Sequence, residues 1–436
     1  MERKRFYQYL WSAILISLSG TLCVQIDGII VSHLLGAEAF AAIGVLMPLM
    51  QIQLTLCLLV GVGGALCLAY AVGAKEWNRS RRIFLTTVVM LLLCSLPFLL
   101  LAFQSPMVAG WCCHEASLLP LATDYARVLL LSAPVYLMLQ GSGAMVRAEG
   151  FPKRILFAMV LANVLNLSMD VLFIQVFHWG IAGAGWATTI SNIIALIIIL
   201  TRPTLSNLDS AAGGLSTFDF RLIKGILIAG VPIALGSVAM FVRLSYLTTT
   251  TSAQLGTEGM ITLSLLLSVF LIVNLLAGGT TQAIQPLAGQ YIGQGDTVAM
   301  YRTCRRALRF TVVSSVIVTV LVALLARPLC WLYGVETTGT VISALRIFAL
   351  CYMFYSVGYV LMVIHQVIGN QSKAIAIAVM QPLMVIPVFA LSLHYTLHTT
   401  HYVWWAFPIA ELISLIIIII LSRNELRQIY TTATCD

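Results

Sequence analysis

Charge is what this sequence has least of. Only 9% of its 436 residues are Asp, Glu, Lys or Arg, against about 25% in soluble domains. So few charges cannot coat the surface of a water-soluble chain of this length. The motifs of hydrolytic chemistry are missing too: there is no His-Glu-x-x-His, no Gly-x-Ser-x-Gly and no paired aspartate–histidine arrangement in the apolar stretches. An enzyme therefore finds no support, and no catalytic residue is assigned. The ten cysteines are scattered, mostly within apolar runs, without metal-ligand spacing. His394, His398 and His401 cluster, but nothing nearby completes a coordination sphere, so no metal is expected. No small-residue cleavage site follows the first apolar run after the basic start Met1–Arg5, and that run is read as a retained helix.

What is present is hydrophobic length. Apolar residues make up 60% of the chain and the mean hydropathy is +0.98. Runs of about 20 apolar residues, each long enough to span a bilayer core as a helix, recur from 8–34 to 402–422, twelve in all. They are apolar all round, unlike the short alternating segments of a membrane β-barrel. The expected fold is an all-α membrane protein with twelve transmembrane helices. The net charge of +8 is explained by topology: nearly all basic residues fall in alternate connections, including Arg3-Lys4-Arg5, Arg79, Arg81-Arg82, Arg305-Arg306 and Arg423, and the other side holds only Arg327. This bias predicts both termini in the cytoplasm and gives no reason to expect a nucleic-acid partner.

The chain is internally duplicated. Leu35-Gly36-Ala37-Glu38 recurs as Leu255-Gly256-Thr257-Glu258, 220 residues later. Arg127 precedes Gly150 by 23 residues, and Arg346 precedes Gly369 by the same interval. Gly63-Gly64 before Arg81-Arg82 is matched by Gly278-Gly279 before Arg305-Arg306. Each half would hold six helices, and an even number gives parallel repeats about an axis along the membrane normal. Two pseudo-symmetric six-helix lobes are expected: 1–203, a linker at 204–221 with turn residues, and 222–436.

Against this background two acids stand out. Asp27 and Asp170 lie deep in apolar runs, where a carboxylate costs about 2.5–3.5 kcal/mol on insertion scales and is by default a functional residue. Asp27 lies nine residues before Gly36; Asp170 and Thr188 lie nine residues either side of Trp179. At 1.5 Å per residue all three sit roughly 13 Å inside the predicted outer turns. Asn163, Asn166 and Asp170, at i, i+3 and i+7, share one helix face. Carboxylate, amide and hydroxyl oxygens together could ligate Na⁺; alternatively, two nearby carboxylates in low dielectric could share a proton. The candidate cation site is Asp27, Asn163, Asn166, Asp170 and Thr188, with H⁺ or Na⁺ as coupling ion and no other cofactor. A purely structural role, as interhelical hydrogen bonds, is the competing reading.

The second half does not repeat this chemistry. The counterpart of Asp27 falls near Tyr246, and no acid matches Asp170. Arg243, Tyr246, Asn274, Gln282 and Gln285 are instead candidates for a substrate cavity, with Arg243 free to bind an anionic group, to pair with an acid of the other half, or simply to pack. Glu411 lies at membrane depth without polar company on its own helix face and reads as structural.

At this point the chain resembles the multidrug and toxic compound extrusion (MATE) transporters over essentially its whole length. The resemblance rests on Asp27-Gly-Ile-Ile-Val-Ser32, Leu35-Gly36, Ala41-Ala-Ile-Gly44, Arg147-Ala-Glu-Gly150, Asn163 through Asp170, and Gly180-Ile-Ala-Gly-Ala184. It implies an N-lobe cation site at Asp27, Asn166, Asp170 and Thr188, and secondary active export of organic, often cationic, small molecules in exchange for H⁺ or Na⁺ by alternating access. Arg243 stands where one branch of the family carries an acid. Because lipid-linked oligosaccharide flippases of the same superfamily are richer in cavity arginines, Arg243 keeps a flippase as the alternative. The expected setting is the cell's inner membrane, with the lipid bilayer and a small molecule as partners and the monomer as functional unit.

Overall fold

The computed structural model describes residues 2–113, 115, 118–201, 218–333, 335, 337–395 and 402–431. His398, His401 and most of the expected linker lie outside them. The described residues form helices and no strand. Ten helices are long and apolar enough to cross a membrane, and the pair Leu119–Leu131 and Ala133–Glu149, bent by 49°, makes an eleventh span. The longest, Phe220–Gly293, is two helices joined at Gly256, which brings the spans to the expected twelve.

The chain divides into two compact units, Trp11–Ala234 and Met1–Leu10 with Leu235–Asp436. These boundaries differ from the expected lobes. Charge and turn residues mark where a loop lies, whereas packing decides which unit a helix end joins, and residues 220 and 221 of the expected linker already belong to a helix.

The unit Trp11–Ala234 contains most of α1 (Glu2–Leu35), then α2 (Ala37–Val45), α3 (Met47–Cys57), α4 (Gly63–Gly73), α5 (Trp77–Ala102), α6 (Ser105–Cys112), α7 (Leu119–Leu131), α8 (Ala133–Glu149), α9 (Pro152–Val171) and α10 (Gly180–Leu200), with the start of α11 (Phe220–Gly293). Two π-helical segments, Leu58–Val62 and Leu172–Val176, interrupt it. Such segments open the i→i+4 ladder and are frequent at functional sites; the second begins two residues after Asp170. Glycine permits the tightest approach: a Cβ on Gly63 would lie 2.1 Å from the Ile226 carbonyl oxygen, and one on Gly230 would lie 1.8 Å from that of Leu59.

The other unit holds the rest of α11, α12 (Thr297–Leu324), α13 (Ala326–Leu332), α14 (Gly339–Ala349), α15 (Cys351–Ile368), α16 (Gln371–Tyr395), a 3₁₀ turn (Val403–Trp405), α17 (Ala406–Leu421) and α18 (Arg423–Thr431). Its core is aromatic: Phe270, Phe348, Tyr352, Phe389 and Phe407 are buried in one cluster. Glu2, at the start of α1, pairs with Arg306 at 3.2 Å, and Arg5 donates to Gln290 at 2.5 Å, which is why the first ten residues pack with this unit.

Local geometry repeats with the sequence. Gly36 (φ 91°, ψ 168°) and Gly256 (φ 61°, ψ −154°) occupy the same backbone region, one that is essentially closed to residues with a Cβ. Gly150 and Gly369 both end their helices in the left-handed conformation. Phe151 N–H bonds Val146 C=O and Gly150 N–H bonds Arg147 C=O; Asn370 to His365 and Gly369 to Gln366 repeat the pair. These are two Schellman caps in register.

Candidate functional site

Helices α1, α7, α9 and α10 of the unit Trp11–Ala234 assemble the site. α1 presents Ser19, Cys23 and Asp27 at i, i+4 and i+8, one stripe of a helix. α9 presents Asn163, Asn166 and Asp170 on its own stripe, and the two stripes meet rung by rung. Asn163 Nδ2 donates to Ser19 Oγ at 2.8 Å. Cys23 Sγ donates to Asn166 Oδ1 at 3.1 Å. Asp27 and Asp170 form the third rung, their carboxyl groups close enough to share a hydrogen bond once one holds a proton. On its other side Asn166 Nδ2 donates to Thr188 Oγ1 of α10 at 3.1 Å, and the Thr188 hydroxyl donates to Ala184 C=O at 3.2 Å.

The close approach of α10 follows from its small residues: a Cβ on Gly185 would lie 2.8 Å from Val128 of α7. Tyr125, one turn earlier on α7, lies within electrostatic range of both carboxylates. Just beyond Asp170, Phe173, Phe177 and Trp179 pack ring to ring at 4.8–5.7 Å.

The third rung is polar but unsatisfied. Asp170 is fully buried, and among the described residues no protein donor reaches either of its oxygens, nor Asp27 Oδ1. Buried carboxylate oxygens without donors are costly. A proton between the carboxyls, or a cation accepting their oxygens, supplies the missing partner.

All five predicted residues lie in this cluster. Asn166 bonds Thr188 directly and Asp27 meets Asp170 on the next rung, whereas Asn163 lies on the far side of Asn166 and bonds Ser19. Thr188 is exposed on one side, the others half-buried or buried. Sequence reasoning missed Ser19, Cys23 and Tyr125. The signal for the first two was the i, i+4, i+8 spacing ending at Asp27.

The predicted substrate-cavity residues have the following surroundings. Arg243 is 3% exposed and pairs with Glu411 at 3.1 Å, and its guanidinium lies 5.7 Å from the Phe270 ring. Glu411 also accepts from Gln381 Nε2 at 3.0 Å. Of the roles left open for Arg243, an ion pair forms, but with an acid of its own half, and Glu411 has polar company from α11 and α16 that its own helix face does not show. Gln285 donates to Gln366 at 3.1 Å. Tyr246 packs against the aromatic core, Gln282 is half-buried, and Asn274 holds a buried Oδ1 that no donor reaches among the described residues.

A family model described as MatE matches residues 12–172 and 232–391, one stretch in each half of the duplication. This chain belongs to the MatE family. The first stretch contains Asp27, Asn163, Asn166 and Asp170 and ends before Thr188. Among curated relatives, the multidrug export protein MepA of Staphylococcus aureus is 27% identical over 233 residues, 51% of this chain and 50% of that protein. The chain thus spans about half the length of these relatives in the matched region. MepA of Staphylococcus saprophyticus is 23% identical over 380 residues, 85% of this chain and 83% of that protein. Among solved structures, a MOP superfamily transporter from Pyrococcus furiosus, described with a binding pocket of reversed polarity, superposes with a TM-score of 0.89 at 21% identity over 99% of this chain and 97% of that one. An outward-facing multidrug resistance MATE family transporter superposes at 0.86 and 23% identity, with 99% and 97% covered. Both likenesses show that this MatE chain has the fold of those transporters; its family and its long apolar helices make it an integral membrane protein.

Proposed function

We propose that this MatE protein is a secondary active exporter of organic, often cationic, small molecules, exchanging them for H⁺ or Na⁺ by alternating access. It would act in the cell membrane with both termini cytoplasmic. The observation that carries the reading is the Asp27–Asp170 rung: two carboxyl groups facing each other in an apolar unit, with three buried oxygens lacking a donor. Entry of a cation there neutralises the layer and changes which arrangement of α1, α9 and α10 is favoured. Loss of the cation restores charge and favours a new cationic substrate. A charge moving through 100 mV contributes about 2.3 kcal/mol, enough for one or two ions to sustain a useful gradient. Support also comes from relatives named multidrug export proteins.

The flippase alternative drew on Arg243 as a cavity cation. That guanidinium is buried against Glu411, so the support moves to the exporter. Proteoliposomes loaded with ethidium test the reading: export should accelerate under an imposed proton or sodium gradient. Ethidium efflux indifferent to both gradients would overturn it.

A further inference from the structure

The unit Leu235–Asp436 carries a pocket that the antiport reading does not use. It has a volume of 340 Å³ and lies where the α11 turn at Gly256, the connection from α13 to α14 and the 3₁₀ turn before α17 come together. That volume falls within the range of small-molecule sites, roughly 300–1,000 Å³. Leu255, Ile261, Val335 and Val341 give it apolar walls, and Trp404 adds an indole. Its one charged residue is Glu258, exposed and without an ion pair among the described residues. The hydroxyls are already engaged: Thr262 donates to the Glu258 carbonyl at 2.9 Å, and Thr338 and Thr340 bond each other at 2.7 Å.

A bland account of Glu258 exists, since a carboxylate near a helix start after Gly256 is favoured by the helix dipole. It does not explain why that carboxylate opens onto an apolar cavity lined by tryptophan. We infer that this pocket binds small aromatic organic cations: Glu258 supplies the counter-charge, Trp404 the ring for a cation–π contact, and the aliphatic walls the apolar body's burial. The lone carboxylate, with no basic side chain among the described residues of the lining, disfavours an anion. If the orientation proposed above holds, this end faces outside, and the pocket is a station for substrate leaving the protein. That role rests on the exporter reading, whereas binding itself does not.

Calorimetric titration of the purified full chain with benzyltrimethylammonium tests the site. Wild type should bind one equivalent at this pocket. Glu258→Gln and Trp404→Phe should each weaken it about fivefold or more, Glu258→Asp should largely restore it, and Asp170→Asn should leave it within about twofold. Glu258 is exposed, so its variants should fold as wild type does. Unchanged affinity in Glu258→Gln, or loss of binding in Asp170→Asn instead, would overturn the assignment. A protein that binds at Glu258 yet shows no gradient-driven efflux would sink the exporter reading and leave this one intact.

Discussion

Asp170 and Phe389 occupy the same position in the two repeats. Each lies 20 residues after the left-handed glycine that caps the preceding helix, Gly150 in one half and Gly369 in the other. Both are fully buried. Where the first half faces Asp27 with an unpaired carboxyl, the second packs Phe389 against Phe407, ring centroids 5.7 Å apart. Asn166 has Val385 as its counterpart, also fully buried. The two halves thus share a frame but fill it differently, one with a polar layer and the other with an aromatic core. A second cation layer in the C-terminal half has no residues to build it at these positions.

Cys23 should matter through its hydrogen bond and not through its thiol chemistry. Its Sγ orients the Asn166 amide, whose other end holds Thr188. Cys23→Ser should keep gradient-driven efflux near wild type, while Cys23→Ala should raise the half-maximal ion concentration several-fold. Equal behaviour of the two variants would show that the rung does not organise the site.

The Arg243–Glu411 pair is expected to be a structural element. Removing one partner of a buried pair strands the other charge and costs about 3–5 kcal/mol, whereas replacing both by apolar residues is often neutral. Thermal unfolding in detergent should fall sharply for Arg243→Met or Glu411→Met alone and recover largely in the double variant. A double variant no better than either single one would contradict this.

Glycine where α11 approaches α4 and the π-helical segment before it is required by backbone contact. Gly63→Ala and Gly230→Ala should each lower the yield of folded protein and its melting temperature, because the new Cβ would meet a carbonyl oxygen at 2.1 or 1.8 Å. Gly278→Ala, with nothing within 4 Å, is the control and should melt like wild type.

At the far end of the chain, α18 is held by Glu425. Burial alone would push that carboxyl up, but the hydrogen bond from Lys373 Nζ at 2.6 Å and the nearby positive charge outweigh it and hold it below the ordinary glutamate range. A carboxyl lowered in the folded state stabilises docking above its unfolded value of about 4.3 and loses that contribution as pH falls through its folded value. Hydrogen-exchange protection of α18 should therefore be steady from pH 7 to about 5 and drop below about 4. Lys373→Met should weaken protection at pH 7 and flatten the pH dependence; a wild-type profile in that variant would refute the link.

Much of this was legible in the sequence because the bilayer makes acids conspicuous. Asp27 and Asp170 announce themselves in apolar runs, and glycine spacing carries the duplication, since Gly36, Gly150, Gly256 and Gly369 each hold a backbone conformation hard for other residues. Ser19 and Cys23 were hidden because a hydroxyl or thiol in an apolar run passes for a small core residue. The partnership of Arg243 with Glu411 was hidden because it joins residues 168 positions apart, beyond the reach of any local periodicity. The unit boundaries escaped for a similar reason: loops are written in composition, but which helices pack together is not.

On the proposed exchange mechanism, ion coupling resides in the Asp27–Asp170 layer of the first half alone. The direct measurement is ethidium efflux from proteoliposomes under ΔpH and ΔNa⁺ imposed separately, for wild type, Asp170→Asn and the double variant Arg243→Met/Glu411→Met. Gradient-driven efflux is expected in wild type and in the double variant, and none above the leak in Asp170→Asn at equal reconstitution. Normal coupling in Asp170→Asn, or coupling lost only when the Arg243–Glu411 pair is replaced, would contradict it.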